Sequence, residues 1–191
     1  MSDRKQVILD TATELFNREG YQAVGVDKII TTAGVSKLTL YRHFPSKEAL
    51  IQSVLEQRKS QFLTDLNAAL AQQDSPKAQL QAFFAYYENW FQSDDFRGCM
   101  FMNSVLEFGE KSQALLAINR GLREELIALL SQILRHWLKR KPAQRIAYTC
   151  NMLIDGAIMS QVTWGKESEY SPADIAWSTA KNLLATEGVA I

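Results

Sequence analysis

Residues 26–51 read VDKIITTAGVSKLTLYRHFPSKEALI, and the fold follows from this stretch. Ile29, Ile30 and Ala33 recur on one side at helical spacing, which predicts a helix over 26–33. Gly34 supplies the left-handed corner that other residues resist. Val35 plugs the angle between two helices and Ser36 caps the second, over 37–43. Leu40 and Phe44 then return to the core one turn apart. Lys37, Leu38, Thr39, Tyr41, Arg42 and His43 are left projecting from a short, basic helix. A helix of this kind fits the major groove of DNA, where its N-terminal side chains meet base edges.

Outward from this segment, every periodic stretch is helical. Ile8, Ala12, Leu15 and Phe16 form one apolar stripe, and helices are expected at about 3–18, 47–73, 76–93, 99–108, 112–140, 143–164 and 172–186. Ser75-Pro76 and Ser171-Pro172 each set a capping hydroxyl before a first-turn proline, and Pro142 opens another segment. No stretch alternates with period two, so the expected class is all-α. The short, closely spaced helices suggest a helix-turn-helix domain over 1–47, and the long ones a larger helical domain over 48–191.

Charge and composition narrow the chemistry. The chain of 191 residues balances 21 basic against 21 acidic side chains, yet after Asp27 the run to Lys47 holds Lys28, Lys37, Arg42 and Lys47 and no acid. A local cationic patch on a neutral protein suits an anionic partner held by a small part of the surface. Cys99 and Cys150 make no CxxC pair, and His43 and His136 stand alone, so neither a metal site nor a cofactor is expected. An enzyme built on Cys99 and His136 would lack a phosphate loop, a nucleophile elbow and spaced acid–base partners, so no catalytic residue is assigned. The weakly charged run 146–164 contains Asp155, Thr149, Asn151 and Gln161, which a bilayer would penalise. With no export signal in the first residues, a cytoplasmic protein that contacts no membrane is expected.

The run AGVSKLTLYRHFPSKEAL resembles the signature of TetR-like transcriptional repressors, in its Gly34-Val35-Ser36 turn, its Leu40-Tyr41-x-His43-Phe44 ending and the Ser46-Lys47-Glu48 start of the next helix. The Gly20-Tyr21 junction and the stretch RGCMFMNSVLEF at 97–108 are also similar. The resemblance implies that Tyr41, His43 and Lys47 hold DNA phosphates, and that Lys37, Leu38, Thr39 and Arg42 form the front of a recognition helix. It further implies a homodimer on a palindromic operator, released by a small-molecule effector. The chain departs from the family at Gly25, which offers no hydroxyl to a phosphate. It departs again at Leu38, which is bulkier than the small residue common there and either meets a thymine methyl or narrows the accepted sequences.

Residues 83–108 are dense in aromatic and methionine side chains. Core packing accounts for most of them, while the excess suits a pocket for an apolar or aromatic guest built from Tyr87, Trp90, Phe91, Phe101 and Met102. Asn103, Glu107, Arg120 and Asp155 are the polar groups that could orient it. Cys99 either fills a gap or, at a helix start beside Arg97, presents a thiolate. Ile146, Cys150, Leu153 and Ala157, with Trp177 and Leu184 on the last helix, make the expected dimer contact, an intramolecular core being the alternative.

Overall fold

The computed structural model describes residues 4–191; the expected helix start at residue 3 lies outside them. Nine α-helices and no strand occur among the described residues: α1 Arg4–Glu19, α2 Val26–Ala33, α3 Lys37–His43, α4 Lys47–Ala71, α5 Pro76–Gln92, α6 Met100–Phe108, α7 Gln113–Leu134, α8 Arg140–Trp164 and α9 Pro172–Thr186. No described helix is long and apolar enough to cross a membrane. No group of three or more potential metal-binding side chains occurs among the described residues.

The chain forms two compact units, and the division falls inside α4 and inside α7. The first comprises the described residues up to Gln61 together with Cys99–Arg120; the second comprises Phe62–Gly98 and Gly121–Ile191. This differs from a cut at residue 47. The start of α4 buries Leu50, Ile51, Val54 and Leu55, and α6 hydrogen-bonds to the corner after α1, so both belong with the N-terminal helices.

In the first unit, α1 buries the stripe its spacing predicts: Ile8, Ala12, Leu15 and Phe16 are at most 6% exposed. Burying each large one is worth about 1.5–3 kcal/mol. α1 packs against α2 and α3, and Val24, Ile29, Leu40 and Phe44 close the core. In the second unit, α8 packs on α9 and both meet α5. Its core includes Phe83, Phe84, Tyr87, Phe91, Leu126, Leu130, Ile146, Cys150, Ile154, Ala180 and Leu184.

Local signals set the helix starts. Ser75 Oγ accepts from Ala78 N at 3.2 Å, and Ser171 Oγ from Asp174 N at 3.1 Å, each before a first-turn proline. The expected single helix over 112–140 is instead α7, ending at Leu134, then a tight turn and the start of α8 at Arg140. Trp137 N donates to Leu134 O at 3.1 Å and Leu138 N to the same oxygen at 3.0 Å. Pro142 explains the break. In a continuous helix its ring would strike the carbonyl of Leu138, whereas in the first turn of a new helix it loses nothing.

Candidate nucleic-acid interface

The corner between α2 and α3 is held by backbone geometry. Gly34 has φ 64° and ψ 35°, the left-handed conformation in which a side chain is strained. Val35 N donates to Ile30 O at 3.2 Å and Gly34 N to Thr31 O at 3.3 Å, satisfying the last carbonyls of α2. Ser36 then caps α3, its Oγ accepting from Thr39 N at 3.1 Å. Leu40 and Phe44, 0% and 2% exposed, anchor the helix from below. The rest of its surface is thereby fixed outward.

On that surface Lys37, Leu38, Tyr41 and Arg42 are exposed, while Thr39, His43 and Lys47 are half-buried. The seven positions inferred from the sequence thus lie on one short helix and the start of the next. They are not equally available. Lys37 Nζ lies 3.3 Å from Asp27 Oδ1, and Thr39 Oγ1 lies 2.8 Å from Ser36 Oγ. Partial burial lowers the pKa of Lys47 from the ordinary lysine value, while the Glu107 carboxylate works in the opposite direction. Gly25 caps α2 in extended conformation without a side-chain hydrogen bond.

Glu107, expected in an effector pocket, has its carboxylate occupied elsewhere. It accepts from Tyr21 N at 3.0 Å and from Gln22 N at 2.6 Å, clasping the corner that follows α1. Gly20, at φ 81°, leaves room for it: a Cβ there would sit 3.1 Å from Glu107 Oε1. Beside it the Tyr21 hydroxyl donates to Met100 O at 2.9 Å, and burial drives the phenol pKa far upward. Tyr21 and Glu107 stand 86 positions apart, so no local signal could have paired them.

The remaining pocket residues divide between the units. Tyr87, Trp90 and Phe91 form one aromatic cluster in the second, with ring centroids 5.8–6.4 Å apart. Asp155 is in that unit too, whereas Phe101, Met102 and Asn103 belong with Glu107 to the first. Asp155 Oδ1 pairs with Arg123 Nη2 at 2.8 Å, and Asn151 Nδ2 donates to Oδ2 at 3.2 Å. Burial raises the carboxyl's pKa, with Arg123 and Asn151 opposing. Arg120 is exposed. A cleft of about 530 Å³ in the second unit is lined by Phe91, Phe96, Arg97, Gln161, Val162 and Lys166 among others; of the expected pocket residues it includes Phe91 alone.

The dimer residues also divide. Ile146, Cys150, Ala157 and Leu184 are at most 5% exposed and lie within the chain's own core, the intramolecular alternative. There burial pushes the Cys150 thiol up to about 12. Leu153 and Trp177 are half-buried, and the Trp177 ring packs 5.5 Å from that of Phe84. Among the apolar side chains that α8 leaves open are Tyr148, Met152 and Met159, 58%, 58% and 47% exposed, and, at its end, Val162 and Trp164. Spacing marks Met152 and Met159 as a second apolar face of this helix, whereas Tyr148, among polar neighbours, joins no stripe. Cys99, 7% exposed, is a buried free thiol.

Comparison with known proteins agrees with this geometry. Residues 8–54 match the family described as bacterial regulatory proteins, tetR family. The HTH-type transcriptional regulator YuxN of Bacillus subtilis is 30% identical over 112 residues, which are 58% of this chain but only 38% of YuxN. The HTH-type transcriptional repressor NemR of Escherichia coli is 25% identical over 98% of the chain and 96% of its own length. Among solved structures, SCO4454 of Streptomyces coelicolor, a TetR-family transcriptional regulator, superposes with a TM-score of 0.86 at 25% identity, covering 97% of this chain and 96% of that one. These relatives are regulators and not enzymes. With its helix-turn-helix corner, its all-α body and these likenesses along its length, the chain is a TetR-like protein whose N-terminal domain belongs to the tetR family of bacterial regulatory proteins.

Proposed function

We propose that this chain is a sequence-specific DNA-binding transcription regulator that works in the cytoplasm as a homodimer on a palindromic operator. The observation that carries the reading is the outward face of α3, with Lys37, Leu38, Tyr41 and Arg42 exposed above the buried anchors Leu40 and Phe44. Lys37 and Arg42 are drawn to the phosphate backbone and the guanine edge, and Tyr41, His43 and Lys47 hold phosphates at the rim. The N-terminal domain reads, and the helical remainder dimerises and binds effector.

The regulator acts as a repressor released by a small apolar or aromatic effector. The likeness to NemR, whose name is that of a repressor, supports the sign. The cluster of Tyr87, Trp90 and Phe91 supports the guest's character. Effector and operator favour different states of the dimer, so each weakens the other's binding by the same factor. Electrophoretic mobility of the DNA upstream of the chain's own gene is the first test. A retarded band that competes away with that DNA and not with random duplex is expected. A promoter fusion then reads the sign: expression that rises when the protein is deleted fits repression, and expression that falls overturns it.

A further inference from the structure

Leu38 is 79% exposed on a helix whose other leucine, Leu40, is 0% exposed. Leaving a leucine in water forgoes the stabilisation that burial would bring, so this position invites a partner with an apolar point. The surroundings specify that partner further. Lys37 and Arg42 flank Leu38, and the nearby acid Asp27 is engaged with Lys37 at 3.3 Å. A major groove meets both demands, because its phosphates are anionic and the thymine C5-methyl is the apolar group on its floor.

The neighbours of Leu38 are committed to different degrees. The Thr39 hydroxyl is 2.8 Å from Ser36 Oγ within the cap of α3, and Lys37 is drawn toward Asp27. Arg42 is exposed and enters no hydrogen bond or ion pair among the described residues, so its five donors remain for a guanine O6 and N7. Leu38 and Arg42 stand four positions apart on the same face of α3. Their separation along the helix axis is about 6 Å, from a rise of about 1.5 Å per residue. Base steps are about 3.4 Å, so the bases they touch lie within two steps of each other.

We propose that Leu38 and Arg42 form a two-point reader, Leu38 against a thymine methyl and Arg42 on a guanine within two base pairs of it in each half-site. The inference rests on the DNA-binding reading above. Selection of bound duplexes from a random pool by the full-length chain identifies the half-site, which is expected to contain that thymine and guanine. Competition then uses duplexes in which the thymine is replaced by deoxyuridine, which lacks only the methyl. The wild type should lose about fourfold in affinity for each thymine replaced, the worth of one buried carbon. Leu38→Ala should bind the thymine and uracil duplexes equally, and Arg42→Ala should relax the guanine position by about tenfold. A half-site without such a pair, a wild type indifferent to the methyl, or a Leu38→Ala variant that still prefers thymine would each overturn the reader while leaving DNA binding intact. Recovery of no preferred sequence would overturn the DNA-binding reading, and the reader with it.

Discussion

At Lys47 and Asp155 the surroundings change what an ordinary side chain contributes. Lys47 is half-buried at the start of α4, and in the proposed function its charge holds a phosphate. Lys47→Ala should weaken binding to specific and random duplex alike and flatten the dependence of log affinity on log salt by about one unit of slope. Titration at several salt concentrations measures this, and an unchanged slope would remove Lys47 from the phosphate contacts. Asp155 is raised by burial, with Arg123 and Asn151 working against that shift. A carboxyl with a raised folded-state pKa contributes stability that is full below its unfolded value of about 3.9 and lost as pH rises through the folded value. Asp155→Asn, which stays neutral, should therefore flatten the fall in urea midpoint just above about pH 4. If the variant keeps the wild-type pH profile, another group is responsible.

Among the elements, α6 departs most from its sequence-based reading. Its aromatic and methionine content suggested a pocket wall, yet Met100 O accepts from Tyr21 and Glu107 clasps the backbone after α1. Hydrogen bonds to a charged acceptor are worth about 1.5–3 kcal/mol each, and two N–H donors lose theirs together. Glu107→Ala should cost about 2 kcal/mol, allowing for water that replaces part of the loss. Glu107→Gln, with one acceptor oxygen, should recover only part of it. Urea unfolding followed by circular dichroism measures both; a Glu107→Ala midpoint equal to wild type would mean that water serves the corner as well. α3 behaves as its sequence foretells, because its corner, cap and anchors all act within eleven residues, Gly34 to Phe44.

For the whole molecule the open question is what covers α8. Tyr148, Met152 and Met159 are four and seven positions apart on its outer side. Gly156 between Met152 and Met159 has open space where a Cβ would stand, which admits a close helix. In the proposed homodimer these residues face the second copy. Met152→Asp should give a monomer in sedimentation velocity with helical content unchanged, because an unpaired charge in a dry contact is costly. Met152 suits the test better than half-buried Leu153, where a charge would also disturb the chain's own packing. A Met152→Asp variant that stays dimeric on dilution would place the interface elsewhere.

By itself, the sequence determined whatever depends on neighbours along the chain. The all-α class follows from apolar spacing, the start of α5 from Ser75-Pro76 and that of α9 from Ser171-Pro172. The corner at Gly34 and the exposed front of α3 were likewise legible, since a cap and a left-handed turn need only a few adjacent residues. The tertiary structure decided the rest. Pro142 signals a break in the sequence, but not that α7 stops as early as Leu134, because the apolar spacing of Leu134 and Leu138 continues past that point. The partner of Glu107 is remote in sequence. On α8, periodicity reveals apolar residues on more than one face but not which face meets α5 and α9. Only that packing turned Ile146, Cys150 and Ala157 inward and left Tyr148, Met152 and Met159 to solvent.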